Sequence, residues 1–265
     1  MLSLKGYGGS DDDQVNTNVT MTNDGGFIIS LTSFSNTGSG NIDSFCALGG
    51  YRTIFAKYNS DASLLEWSKC YENNGDSFVL YAFPTNDGGT VLGGEFNTMV
   101  FGYGFLIWRE DALGNIMWSH SYSKGNSPLL RDMIATDDGG YMMIGDAIYT
   151  DTNFTVHNSG SLNADIAVLK LDSLGNKLWS KAIGGSGDEL ANAIVENPNG
   201  GYYIIGRTPS NDYDCTGNHG GYDAYLARLD KDGNILWHRD LGGSATDDGV
   251  YAIDNGKGGG NHCSV

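Results

Sequence analysis

The 265 residues carry 15 Lys and Arg against 32 Asp and Glu, a formal net charge of −17. That balance excludes a nucleic-acid partner, because a phosphate backbone selects basic surfaces. Forty glycines, four prolines and fifteen tyrosines exclude a helical protein and predict many short strands joined by tight turns.

Taken in chain order, one pattern recurs. Residues 1–10, "MLSLKGYGGS", match only the end of its last strand, with Ser3 where other copies have tryptophan. This stretch has no charged-then-apolar signal region, and no apolar run in the chain approaches a membrane span. The first complete unit, 11–74, holds "NDGG" at 23–26 and ends in a weak copy of the marker, "YNSDASLLEWSKCYENN" at 58–74, with Trp67. The second, 75–125, holds "NDGG" at 86–89 and "EDALGNIMWSHSYSKG" at 110–125, with Trp118. The third, 126–186, holds "DDGG" at 137–140 and "LDSLGNKLWSKAIGGS" at 171–186, with Trp179. The fourth, 187–244, holds "NPNGG" at 197–201 and "DKDGNILWHRDLGGS" at 230–244, with Trp237. Residues 245–265 match only a first strand, "DDGVYAI", before the tail "DNGKGGGNHCSV".

The tryptophans are spaced by 51, 61 and 58 residues, and the second glycine of the next pair follows each of the first three by 22. Periods of this length indicate propellers or solenoids. The fourth unit predicts four strands: "ANAIVE" (191–196), "GYYIIGRT" (201–208), "DAYLARLD" (223–230) and "ILWHRDL" (235–241). "NPNGG" joins the first two and "DKDGN" the last two, both strong hairpin signals. Four antiparallel strands per unit without a helical crossover predict an all-β fold, a β-propeller of four-stranded blades with partial blades at 1–10 and 245–265. The runner-up is a β-solenoid. The partial ends suggest an excerpt of a longer propeller, the alternative being a compact four-bladed ring.

Trp67, Trp118, Trp179 and Trp237 are expected to pack between neighbouring blades. The Gly-Gly pairs are expected to serve positive φ in hairpin turns. "DKDGN" resembles the start of a calcium loop, but the position of Asp232 is Leu174 and Leu113 in its sister copies. Leucine cannot ligate calcium, so the stretch reads as a turn.

Taken together, "DGGY" (138–141), "SNDYDCTGNHGGYDAYLARLD" (210–230), "GNILW" (233–237) and "LGGSATDD" (241–248) resemble the repeat of secreted propeller-like proteins of Bacteroidota associated with type IX secretion. The resemblance implies a propeller fold and a secreted or cell-surface location, and it supplies no catalytic residues. Cys46 and Cys215 depart from its pattern.

In such a blade the second-to-third loop and the inter-blade loop share one face, opposite the two hairpins. The second-to-third loops are variable, and the inter-blade loops carry Asp11, Asp12, Asp13, Asp76, Asp188, Glu189, Asp247 and Asp248. Binding residues gather on loops held by a rigid scaffold. The densest ligand-binding candidates are Asp212, Asp214, Asn218 and His219. Asp12, Asp13, Asp188 and Asp247 are the candidate cation ligands, with Ca²⁺ the ion such oxygens suit, although no single loop spells a full ligand set. The expected function is a non-catalytic binding, adhesion or scaffold module for a glycan or protein at the cell surface. The alternative is a propeller-fold polysaccharide lyase or hydrolase, which would need two carboxylates flanking the scissile bond. No G-x-S-x-G, H-E-x-x-H or P-loop spacing occurs. The four cysteines show no C-x-x-C spacing, which disfavours zinc. A Cys46–Cys215 disulfide becomes conceivable if the first and fourth blades adjoin.

Overall fold

A computed structural model describes residues 13–22, 24–33, 52–72, 77–98, 102–125, 129–148, 154, 163–249, 251–253 and 262–264. Among them the chain is all-β, with four antiparallel four-stranded sheets whose neighbours follow chain order. The first sheet holds β1 (Asp13–Met21), β2 (Phe27–Ser33), β3 (Arg52–Tyr58) and β4 (Leu65–Glu72). The second holds β5 (Ser77–Pro84), β6 (Thr90–Thr98), β7 (Gly102–Glu110) and β8 (Ile116–Gly125). The third holds β9 (Leu130–Ala135), β10 (Tyr141–Ala147), β11 (Asp165–Leu171) and β12 (Lys177–Ile183). The fourth holds β13 (Leu190–Glu196), β14 (Tyr202–Thr208), β15 (Asp223–Leu229) and β16 (Ile235–Leu241). All four strands expected in the fourth unit form within one residue of their expected bounds. The tail departs from expectation: β17 (Tyr251–Ile253) pairs directly with β18 (His262–Ser264) as a two-stranded ribbon. No helix among the described residues is long and apolar enough to cross a membrane.

The chain divides into two compact units, residues 1–98 with 106–119 and residues 99–105 with 120–265. In the first, Ile28, Phe55, Val79, Ala82, Leu92 and Trp108 form the core, with Trp67, Tyr71 and Leu106 packed against it. Among its described residues the one buried acid, Glu110, accepts hydrogen bonds from Trp108 Nε1 (3.1 Å) and Tyr71 Oη (2.9 Å). In the second, the facing residues of the third and fourth sheets make one core that includes Met142, Ile144, Ile166, Val168, Ile204 and Tyr225. Here β10 and β11 are buried at every position. Every position of β15 is buried or half-buried, and Arg228 lays its guanidinium over the Tyr203 ring at 5.0 Å.

The closing hairpins are built by one local device. Asp230 Oδ1 accepts the backbone N–H groups of Asp232 (2.9 Å) and Asn234 (2.8 Å), while its Oδ2 accepts Asn234 Nδ2 (3.0 Å). Asp111 and Asp172 make the same three bonds with their own turns. The carboxylate supplies the acceptors that the backbone N–H groups of a tight turn otherwise lack, and its oxygens are spent on the turn.

The opening hairpins correct one expectation. Gly25, Gly88, Gly139 and Gly200 have φ of 82°, 82°, 81° and 89°, as a turn requires. For Gly26, Gly89 and Gly140, the second glycines of the first three pairs, the decisive constraint is space, and Gly201 combines that constraint with a φ of 77°. A Cβ on Gly26, Gly89, Gly140 or Gly201 would lie 2.4, 2.4, 2.2 or 2.2 Å from the carbonyl oxygen of Tyr58, Glu110, Leu171 or Leu229. The first glycine turns the chain, and the second lets the third strand pass against it.

Candidate functional site

Two places gather polar side chains, one in each unit. The first follows from how a tryptophan of one sheet meets the closing hairpin of the next. In the second unit Trp179 closes that junction: its Nε1 donates to Lys231 O (3.2 Å), and its ring lies 2.8 Å from where a Cβ on Gly233 would sit. In the first unit the corresponding turn glycine is Gly114, and a Cβ there would meet nothing within 4 Å. Beside Trp67 lies an open cleft of about 520 Å³, lined also by Asp24, Lys57, Lys69, Thr85, Asn86 and Ala112. Lys69 Nζ stands 5.8 Å from the Trp67 ring centroid, close enough for a cation–π attraction. Lys57 is buried and pairs with Asp24 (2.5 Å) and Glu66. This pairing, with the Thr22 hydroxyl and Gly26 N–H, holds the Asp24 carboxyl far below the usual carboxylate range. The cleft thus offers one aromatic face, hydroxyl and amide groups, and a cationic rim.

The second place is the loop end of the second unit. Here the loop 209–222 folds onto the two inter-sheet loops, 184–189 and 242–249, as expected for one shared face. Ser186 N donates to Asp212 Oδ1 (2.8 Å), Gly187 N to Ser210 Oγ (2.7 Å) and Asp214 N to Gly184 O (3.1 Å). Asp247 N donates to Tyr222 O (2.6 Å). The candidates Asp212, Asp214, Asn218 and His219 lie together in this loop. Asp212 forms an isolated bridge with Cys215, and Asp214 O accepts the Tyr225 hydroxyl (2.9 Å). Asn218 Nδ2 donates to Thr208 O (3.1 Å) and Gly221 O (3.0 Å), and its Oδ1 accepts Gly220 N (2.9 Å). His219 Nδ1 lies 2.7 Å from Asp223 Oδ2. These groups build the loop.

Asp12 lies outside the described residues, and Asp13 opens β1. Asp188 Oδ1 accepts Ala164 N (2.8 Å), and Asp247 Oδ2 accepts Gly243 N (2.8 Å). Among the described residues no three His, Cys, Asp or Glu side chains form a group that could hold a metal by themselves. Cys46 also lies outside the described residues. Cys215 is a free, buried thiol and Cys70 is disulfide-bonded, so the conceivable Cys46–Cys215 disulfide does not form. Burial pushes the Cys215 thiol well up.

The tryptophan copies occupy equivalent strand positions, Trp67 opposite Lys57, Trp179 opposite Lys170 and Trp237 opposite Arg228. Trp67 and Trp179 pack against their cores, and Trp118 is half-buried. Trp237 is 38% exposed, on β16, the outer strand of the fourth sheet. It touches Tyr203 at 6.0 Å and carries Arg239 over its ring.

Buried acids are concentrated at the loop end, and sequence reading missed most of them. Glu189 accepts Gly185 N (2.7 Å), Thr208 Oγ1 (2.8 Å) and Ser210 Oγ (2.6 Å). Burial raises its carboxyl, and those three bonds oppose the rise. Asp223 and Asp240 are buried too. Asp240 sits 3.7 Å from His238 Nδ1, and burial raises its carboxyl against the pull of that imidazole. Also missed were Lys57, Arg109, Lys170 and Arg228, which tie the third strand of each sheet to its opening hairpin. Each stands two residues before the first residue of the closing turn, a cationic repeat that alignment on the turns would have exposed.

No family model matches the chain. It is 24% identical over 220 residues to the regulatory protein FlaEY of Caulobacter vibrioides, a match covering 80% of this chain and 23% of that protein. The chain thus spans less than a quarter of that relative's length. Among solved structures it is similar to an acylaminoacyl peptidase in complex with Z-Gly-Gly-Phe-chloromethyl ketone, with a TM-score of 0.43 and 12% identity, over 90% of this chain and 34% of that one. It is also similar to a glycosyl hydrolase from Bacteroides ovatus, with a TM-score of 0.41 and 14% identity, over 92% and 78% of the two chains.

Proposed function

We propose that the chain is a non-catalytic binding module of propeller type, secreted or displayed at a cell surface, and that its ligand is a saccharide held in the Trp67 cleft. The observation that carries the reading is the open cleft beside Trp67, whereas the sister tryptophan Trp179 packs its ring against Gly233. A sugar ring stacks on an indole face through its C–H groups, and its hydroxyls take bonds from the surrounding turn residues. Aromatic surface supplies the larger share of energy in such sites, with a few polar groups setting orientation. The reading moves the ligand from the variable-loop face, where Asp212, Asn218 and His219 are engaged in building the loop, to the hairpin end of the first unit.

Glycoside hydrolysis needs two carboxylates on either side of the bond. Among the described residues Asp24 is the one carboxylate lining the cleft, and it is bound to Lys57. Binding without turnover is therefore the activity this cleft supports.

The test is a glycan array followed by calorimetry on wild type, Trp67→Ala and the paired variant Asp212→Ala/Asp214→Ala, each checked for fold by circular dichroism. Trp67→Ala is expected to weaken saccharide binding at least tenfold, with the loop variant binding as wild type. Loss in the loop variant alone would return the ligand to the variable-loop face. Silence of the wild type across the array would refute the saccharide reading.

A further inference from the structure

The inter-sheet loops of the second unit repeat an arrangement whose two copies differ in how the loop acid is held. In each, a buried Asp at the start of the sheet's third strand meets an acid of the following loop across a glycine. A Cβ on Gly184 would lie 2.5 Å from Asp165 Oδ1 and 2.6 Å from Glu189 Oε2. A Cβ on Gly242 would lie 2.6 Å from Asp223 Oδ1 and 2.8 Å from Asp247 Oδ2. The glycine is what allows two like-charged groups to approach this closely.

In the first copy, Glu189 is saturated by two hydroxyls and a backbone N–H. In the second, Asp247 is one methylene shorter and accepts Gly243 N (2.8 Å), with its side chain half-buried. Asp223 is fully buried, and His219 occupies its Oδ2 through both the backbone N–H (2.9 Å) and the ring (2.7 Å). Its Oδ1 has no hydrogen-bond partner. Asp240, on the neighbouring strand and in electrostatic reach of Asp223, has His238 Nδ1 at 3.7 Å from its Oδ1. An unpartnered buried carboxylate oxygen is costly, and the cost rises steeply when a second negative group adjoins it.

We infer that a Ca²⁺ ion binds at the fourth sheet's inter-sheet loop, bridging Asp223 Oδ1 and Asp247. Calcium takes six to eight oxygens and accepts backbone carbonyls and water alongside a few carboxylates, which suits a place where two acids converge without a third. Zinc would ask for nitrogen or sulfur ligands in a closed tetrahedron. His219 Nδ1 is already engaged by Asp223, and no group of three such side chains forms among the described residues. The half-buried Asp247 gives the ion a route from solvent to the buried Asp223.

The experiment titrates Ca²⁺ into the full chain, following its melting temperature, and titrates Tb³⁺ with excitation of the tyrosines, of which Tyr222 adjoins the site. Saturating Ca²⁺ is expected to raise the melting temperature of the wild type by about 5–10 °C, and Tb³⁺ luminescence to appear and be competed by Ca²⁺. Asp247→Asn, at a half-buried position that keeps an acceptor for Gly243 N, is expected to weaken binding at least tenfold, and Asp223→Asn to abolish it. Asp232→Asn, in the closing hairpin, should bind as wild type. Absence of both signals in the wild type overturns the inference, as does unchanged binding in Asp247→Asn. A melting temperature indifferent to Ca²⁺ but dependent on pH through Asp247 would show that the two acids share a proton instead.

Discussion

The junction that Trp179 closes can be tested by adding one methyl group. Gly233 has φ of 80°, and a Cβ there would lie 2.8, 2.9 and 3.0 Å from three carbons of the Trp179 ring. Gly233→Ala therefore carries two costs. Placing an L-residue in the left-handed region costs about 1–2 kcal/mol, and forcing the ring to retreat costs about 1–3 kcal/mol more. Gly114 is the same residue of the same turn in the second sheet, with φ of 85° and nothing within 4 Å of its Cβ position, so Gly114→Ala carries only the first cost. Trp179→Ala alone should cost about 2–3 kcal/mol, from loss of roughly 100 Å² of buried aromatic surface at ~25 cal/mol per Å². With Trp179 already removed, Gly233→Ala should cost only its backbone share, leaving a coupling of about 1–3 kcal/mol between the two positions. Urea unfolding of the four-member cycle, followed by circular dichroism and by exchange of the β15 and β16 amides, reads that coupling directly. Additive costs, or equal costs for Gly233→Ala and Gly114→Ala, would refute the claim that the indole sits on the turn.

Two further outcomes follow from buried groups of the second unit. Burial pushes the Asp132 carboxyl up to about 7, against the backbone N–H groups of Ile194 (2.9 Å) and Met133 (2.8 Å) that favour its ionised form. A raised folded value means the folded state keeps a proton that the unfolded chain releases near pH 4, so stability should fall as pH rises from about 4 to 7. Asp132→Asn should flatten that slope by an amount on the order of a few kcal/mol, measured as the wild-type-minus-variant difference in urea stability at pH 5 and pH 8; parallel slopes would contradict it. Cys215, buried with its thiol raised by burial, should resist alkylation in the native protein and react fully in denaturant, as peptide mass mapping would show; rapid native labelling would place it at the surface.

How much of this was legible beforehand depends on the range of each interaction. The strands and both hairpin types rest on contacts within a few residues. Asp111, Asp172 and Asp230 cap turns four residues long, and the first glycine of each pair sets a local φ. Such features leave a signature at fixed spacing, so the four sheets and the turn identity of "DKDGN" could be read directly. Gly201 has the positive φ expected of a turn (77°), but for Gly26, Gly89 and Gly140 the obstructing carbonyl lies 21 to 32 residues along the chain, on the third strand, where local spacing gives no sign of it. The cleft escaped notice for a similar reason: Trp67 and Trp179 look alike in sequence, and only their contacts with the following turn tell them apart.

The sequence by itself determined the repeat, the strand order within each unit and the chemistry of every turn, since these depend on neighbours close along the chain. Tertiary structure alone decided which acids are buried together, which tryptophan leaves space beside it, and which polar groups are spent on the scaffold. Asp223 and Asp247 stand 24 residues apart and meet only because a sheet edge and a glycine bring them into one small volume. The energy of that encounter depends on distance and burial, neither of which is written in the spacing of residues along the chain.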